Sequence, residues 1–138
     1  MAGIQTSMSV RNTFIGIREQ KYINLETFRK SGQGVRTPVW FVADPSTAQP
    51  TKLYVYSTAD SGKAKRIRNK PLVRIASCDM RGRLLGDWME GRAEIMAGDE
   101  AQRGMQLLNK KYFPWKQLLD FVVIFSRKGR VVFAIYPA

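Results

Sequence analysis

Six short runs rich in β-branched and aromatic residues, separated by brief turns, constrain this chain more than any other feature. They cover residues 22–29, 35–42, 52–58, 72–78, 86–96 and 131–136. Strands joined by short turns pair antiparallel, because a parallel neighbour needs a crossover of about a dozen residues or more. Few helices are available to cover a sheet. A mainly β fold that closes on itself, an antiparallel barrel of about six strands with a few flanking helices, is therefore expected over an open parallel sheet.

The first two runs make a hairpin across Ser31-Gly32-Gln33-Gly34, residue types that tolerate turn geometry. Pro38 falls inside the second run. It gives no ladder N–H, so it marks an edge, a bulge, or a place where a ligand replaces the neighbouring strand. Residues 43–51 form a polar loop with two prolines, and Gly86 and Gly91 let the fifth run bend. Asp99 is expected to cap a helix running to about Tyr112, with Met105, Leu107 and Leu108 as its apolar contacts. Pro114 interrupts it, and a second helical piece passes through Leu118 and Leu119. Residues 1–20 read as an arm that becomes helical near its end, and residues 21–138 as one domain, large enough to bury a core.

The single cysteine, Cys78, excludes an internal disulfide and reads as a small buried residue. There is no histidine. That removes a His-ligated haem and the usual general base near neutral pH, and no metal site is expected. Chemistry then comes from a bound cofactor or is absent. No apolar run reaches membrane-spanning length, the longest being Phe121-Val122-Val123-Ile124-Phe125, so a cytoplasmic protein without a membrane partner is expected. The net charge of +12 suits nucleic acid, an acidic membrane surface or a polyanionic small molecule. A nucleic-acid surface would interleave its cations with exposed aromatics in a stripe. Here they gather after the third run, so nucleic acid is not the expected partner.

That gathering is Ser61-Gly62-Lys63-Ala64-Lys65-Arg66-Ile67-Arg68-Asn69-Lys70-Pro71. A turn with small and hydroxyl residues leads into a short basic helix, which a proline stops. Backbone donors at a helix start, flanked by cations, form a phosphate cradle. Lys63 and Arg66 lie three apart and share a helical face. A charge-assisted hydrogen bond contributes on the order of 1.5–3 kcal/mol, so two or three would support micromolar binding. The competing reading is a solvated basic helix.

One ordered set of motifs carries a resemblance. It runs from the hairpin through Arg36-Thr37-Pro38-Val39-Trp40, Ser61-Gly62-Lys63-x-x-Arg66, Asn69-x-Pro71 and Cys78-Asp79-x-Arg81-Gly82 to Trp88-x-Glu90-Gly91. The set resembles the pyridoxamine-phosphate-oxidase-like, FMN-binding split β-barrels. Within them it is most similar to the deazaflavin coenzyme F420-dependent oxidoreductases, strongly over residues 22–95. The resemblance implies a homodimer with a cofactor in a cleft at each junction. Ser61, Gly62, Lys63 and Arg66 would hold the phosphate. Thr37, Pro38, Val39 and Trp40 would lie along the ring system. Tyr56, Ser57 and Thr58 would sit beneath the phosphate and ribityl chain, and Trp88 would reach the neighbouring chain's cofactor. Arg36 and Lys65 would add charge for a polyglutamate tail, which deazaflavin carries and FMN does not.

The implied activity is an oxidoreductase in which reduced deazaflavin delivers hydride to a conjugated, electron-poor small molecule such as a quinone, enone or tetrapyrrole. FMN as the cofactor is the alternative, and a non-enzymatic flavin, haem or lipid carrier a further one. No catalytic side chain is assigned. Trp40 and Trp88 also suit a core or interface, the Asp79-x-Arg81-Gly82 turn suits a hairpin with an internal ion pair, and residues 112–115 suit a hinge packed on the barrel. Glu90 would pair with Arg92 or Arg74, or meet a dimer partner.

Overall fold

The computed structural model describes residues 14, 16–17, 19–46, 51–58, 61–112 and 130–138. Six strands appear: β1 (Tyr22–Phe28), β2 (Gly34–Ala43), β3 (Leu53–Thr58), β4 (Leu72–Cys78), β5 (Met89–Met96) and β6 (Arg130–Pro137). Among the described residues two helices join them, α1 (Gly62–Asn69) and α2 (Gly98–Lys111). The strands close into an antiparallel barrel in the order β1-β2-β3-β6-β5-β4. Among the described residues no helix is long and apolar enough to cross a membrane.

The interior follows from the two-residue period of a strand. Ile23 and Leu25 of β1, Phe41 of β2, Leu53 and Val55 of β3, Val73 and Ile75 of β4, Ala93 of β5 and Phe133 and Ile135 of β6 pack into one core. Ala64 and Ile67, three apart on α1, join it, so the basic helix is anchored by an apolar stripe. Phe14 and Ile17, from the segment read as an arm, are also fully buried there. The described part of that segment makes turns at Gly16 and Glu19, where a helical end was expected. The helical piece through Leu118 and Leu119 and the Phe121–Phe125 run lie outside the described residues.

α2 lies on the outer face of β2, β3 and β6. Leu108 packs there with Tyr54, Val132 and Ala134. The Glu100 carboxylate accepts from Lys52 Nζ at 2.9 Å and from the Tyr54 hydroxyl at 2.7 Å, and Arg103 pairs with Asp44 at 3.1 Å. Two expectations are corrected here. Gly98, at φ +60°, turns the chain into the helix, and Ala97 is the N-cap without a side-chain bond, so Asp99 sits inside the first turn instead of capping it. The fifth strand begins at Met89, three residues later than read, because Leu84 and Leu85 take up the end of β4. Leu84 bridges Cys78, and the Leu85 amide donates to the Ser77 carbonyl at 2.8 Å.

Candidate functional site

The barrel is not evenly laced. β2 pairs with β1 from Gly34 to Trp40, but its described register with β3 covers only Phe41, Val42 and Ala43. Tyr56, Ser57 and Thr58 of β3 pair on their other side with β6. Between the first part of β2 and the end of β3 the seam therefore opens. A cavity of about 420 Å³ lies there, lined by Tyr22, Pro38, Val39, Trp40, Tyr56, Ser57, Thr58, Ser61, Lys63 and Met80. Pro38 thus sits where strand pairing lapses, as its missing N–H allows.

One end of this cleft is cationic and rich in hydrogen-bond donors. Ser61 is the N-cap of α1, and its Oγ accepts from the Ala64 amide at 3.1 Å and from the Ser57 hydroxyl at 3.0 Å. With both lone pairs used, the Ser61 hydroxyl has only its proton left to offer, and a donor suits a phosphate oxygen. Helix geometry leaves the first amides, those of Gly62 and Lys63, without intrahelical acceptors. Burial and the nearby Arg66 charge push the Lys63 ammonium below its ordinary value. An opposite charge beside it would offset both effects.

The other end is aromatic. Trp40 stacks on Tyr112 with ring centroids 4.7 Å apart and planes 8° from parallel. Tyr22 faces Trp40 across the β1–β2 ladder, and Tyr56 comes from β3.

Eight of the thirteen sequence candidates line this one cleft: Pro38, Val39, Trp40, Tyr56, Ser57, Thr58, Ser61 and Lys63. The other five are placed differently. Gly62 is exposed beside the cleft, and a Cβ on it would come within 2.6 Å of an Arg66 guanidinium nitrogen. Arg66 folds back over it and donates from Nε to Thr27 Oγ1 at 2.7 Å, so it acts on Lys63 by charge and does not line the cleft. Thr37 alternates with Pro38 to the opposite face, with its Oγ1 buried and without a partner. Arg36 is committed to the buried Glu26 at 2.7 Å, and Arg74 joins the same carboxylate at 3.1 Å, so Arg74 is not spent on Glu90. Trp88 precedes β5 instead of lying on it, and its ring lies under both guanidinium groups, 4.6 Å from Arg36 and 5.0 Å from Arg74.

The Asp79 turn is held by backbone, its Oδ1 accepting from the Arg81 and Arg83 amides at 2.9 Å each. Cys78 is buried, and burial pushes its thiol up.

Tyr22 and Met80 line the cleft without being sequence candidates, and Tyr112, expected only within a hinge packed on the barrel, does pack there. The hairpin count places Tyr22, since a tight turn that pairs Phe28 with Gly34 pairs residue 22 with residue 40. Met80 and Tyr112 reach the cleft region only through tertiary folding, which no local pattern encodes.

None of the curated proteins matches the chain. Among solved structures, it is similar over 99% of its length to a conserved hypothetical protein of Mycobacterium tuberculosis, at 22% identity, 81% of that chain and a TM-score of 0.62. It is similar to an F420 reductase at 19% identity, covering 88% of each chain with a TM-score of 0.53. It is similar to HutZ, the heme storage protein of Vibrio cholerae, at 14% identity, over 87% of this chain and 83% of that one, with a TM-score of 0.59. At these identities the likeness is one of fold. The family model described as pyridoxamine 5'-phosphate oxidase matches residues 13–137, nearly the whole chain, and with the six-stranded barrel and its open seam this places the protein in the pyridoxamine 5'-phosphate oxidase family.

Proposed function

We propose that this protein is an oxidoreductase that uses the deazaflavin coenzyme F420 to reduce a conjugated, electron-poor small molecule. The observation that carries this is the cleft in the barrel seam, aromatic at one end and cationic at the other. Those two ends fit a flat ring joined to a phosphate. When bound, the coenzyme supplies hydride. The chain's own residues bind and orient. Lys63, the Ser61 hydroxyl and the first amides of α1 hold the phosphate. Trp40 and Pro38 wall the ring position, and Tyr56 lines the same cleft. The net charge of +12, with Lys65 exposed on α1, favours a polyanionic tail. Arg36 is already held by Glu26, so the tail would depend less on it than the sequence implies.

The second reading keeps the cleft and places FMN in it, since one phosphate meets Lys63 equally well in either cofactor. We also infer a homodimer, because Met80 on the cleft rim is 69% exposed and Leu85 nearby is 61% exposed, more than a solitary surface favours.

Titration of the purified protein with F420 and with FMN separates the two cofactors. Lys63→Ala weakens binding of the true one about tenfold. Turnover of reduced F420 with a quinone or enone completes the test. Tight FMN binding without F420 binding replaces the first reading by the second, and no binding of either rejects both.

A further inference from the structure

Tyr112 ends α2, far in sequence from both walls of the cleft, yet it touches one of them. Its ring lies parallel to Trp40 at 4.7 Å. Its hydroxyl oxygen accepts from the Phe41 amide at 3.0 Å, and its proton is shared between the carbonyls of Lys21 at 2.6 Å and Phe41 at 2.8 Å. Its neighbour Lys111 donates to the Gln20 carbonyl at 2.7 Å and rests 3.7 Å from the centre of the Phe41 ring. This end of the helix is therefore fastened at several points to the segments that carry Tyr22 and Trp40. Trp40 itself is only half-buried and borders the cleft. An indole in that position, left without its stack, would sample other rotamers, and ordering it on binding costs affinity.

We propose that Tyr112 is a positioning residue: it fixes the Trp40 indole in one orientation, so that the cleft presents a preformed flat wall to the ring system of the coenzyme. This rests on the coenzyme function proposed above. The stack is the working part, and the hydroxyl bonds serve the fold.

Two probes and three variants test it, at temperatures well below each variant's melting point. The probes are F420 and its deazaflavin chromophore without the phosphate. Tyr112→Leu weakens both about fivefold, the scale of ordering one large side chain. Tyr112→Phe melts lower, because three backbone bonds lose their partner, yet binds both within about twofold of the parent. Lys63→Ala weakens the coenzyme and leaves the chromophore unchanged. Unaltered affinity in Tyr112→Leu, with Lys63→Ala still impaired, overturns the positioning role and leaves the coenzyme assignment standing. Tyr112→Phe binding as weakly as Tyr112→Leu also overturns it, because the loss then follows stability instead of the stack. If the parent protein binds neither probe, the coenzyme assignment fails and the positioning role fails with it.

Discussion

Lys111 shows how burial and local partners compete at one side chain. The Phe41 ring and the Gln20 carbonyl both favour its charged form, yet burial outweighs them and pushes its pKa from 10.5 down to about 8. The unfolded chain keeps that proton to a higher pH than the folded one does. Below pH 8 the folded state carries the full penalty. Between about 8 and 10.5 the penalty is lifted, so this residue makes stability rise with pH across that window. Urea titrations of the parent and of Lys111→Met at several pH values isolate it as a difference. The parent gains stability relative to the variant from pH 8 to 10.5, and a constant difference would refute the shift. Nothing in the sequence reveals this, because the lysine is an ordinary helix-end cation until Phe41 and Gln20 arrive. Arg36 differs in this respect: the hairpin count that sets Tyr22 against Trp40 also sets Glu26 against Arg36, so that pairing follows from the turn.

At the scale of elements, the strands were legible because the period-two pattern and the punctuating turns agree. β4 matches its expected limits, Leu72 to Cys78, and β1, β2, β3 and β6 differ by one residue or so at their ends. The start of β5 was not legible. Which residues complete the end of β4 is decided by the fold of the 79–88 connection, and Leu84 and Leu85 compete there with Gly86 to Trp88. The face on which α2 seats was legible, since Met105, Leu107 and Leu108 all pack on the barrel as expected, but how closely it approaches was hidden. Gly104 reads as a weak helix residue, yet a Cβ there would meet Tyr54 Cδ1 at 2.8 Å and Val132 Cγ1 at 2.9 Å. Gly104→Ala gains about 1 kcal/mol of helix propensity and loses more to overpacking, typically about 1–3 kcal/mol. The expected result is a net destabilisation of about 1 kcal/mol in urea unfolding. A stabilised variant would show that the helix moves away from the barrel at little cost.

For the whole molecule, most of the cationic end of the cleft could be read ahead of the structure, because Ser61 and Lys63 belong to one local turn. The aromatic end was read only in part. Trp40 was marked, but the residue that orients it comes from the far end of α2. The apolar rim makes a further claim at this scale. If two copies meet over Met80, Leu84 and Leu85, the parent sediments as a dimer at micromolar concentration and Leu85→Asp as a monomer with weakened coenzyme binding. A monomeric parent, or a monomeric variant with full affinity, would separate the cleft from any partner.

The gap between β2 and β3 has a consequence for how such a barrel diversifies. Each wall is zipped to a different neighbour, β2 to β1 and β3 to β6, and the two converge only at Phe41–Ala43. Beyond that point the described register sets no rung between them, and Trp40 and Tyr56 line the slot from either side. Exchanging those groups would resize the slot for a wider or narrower guest while every interstrand rung stayed intact.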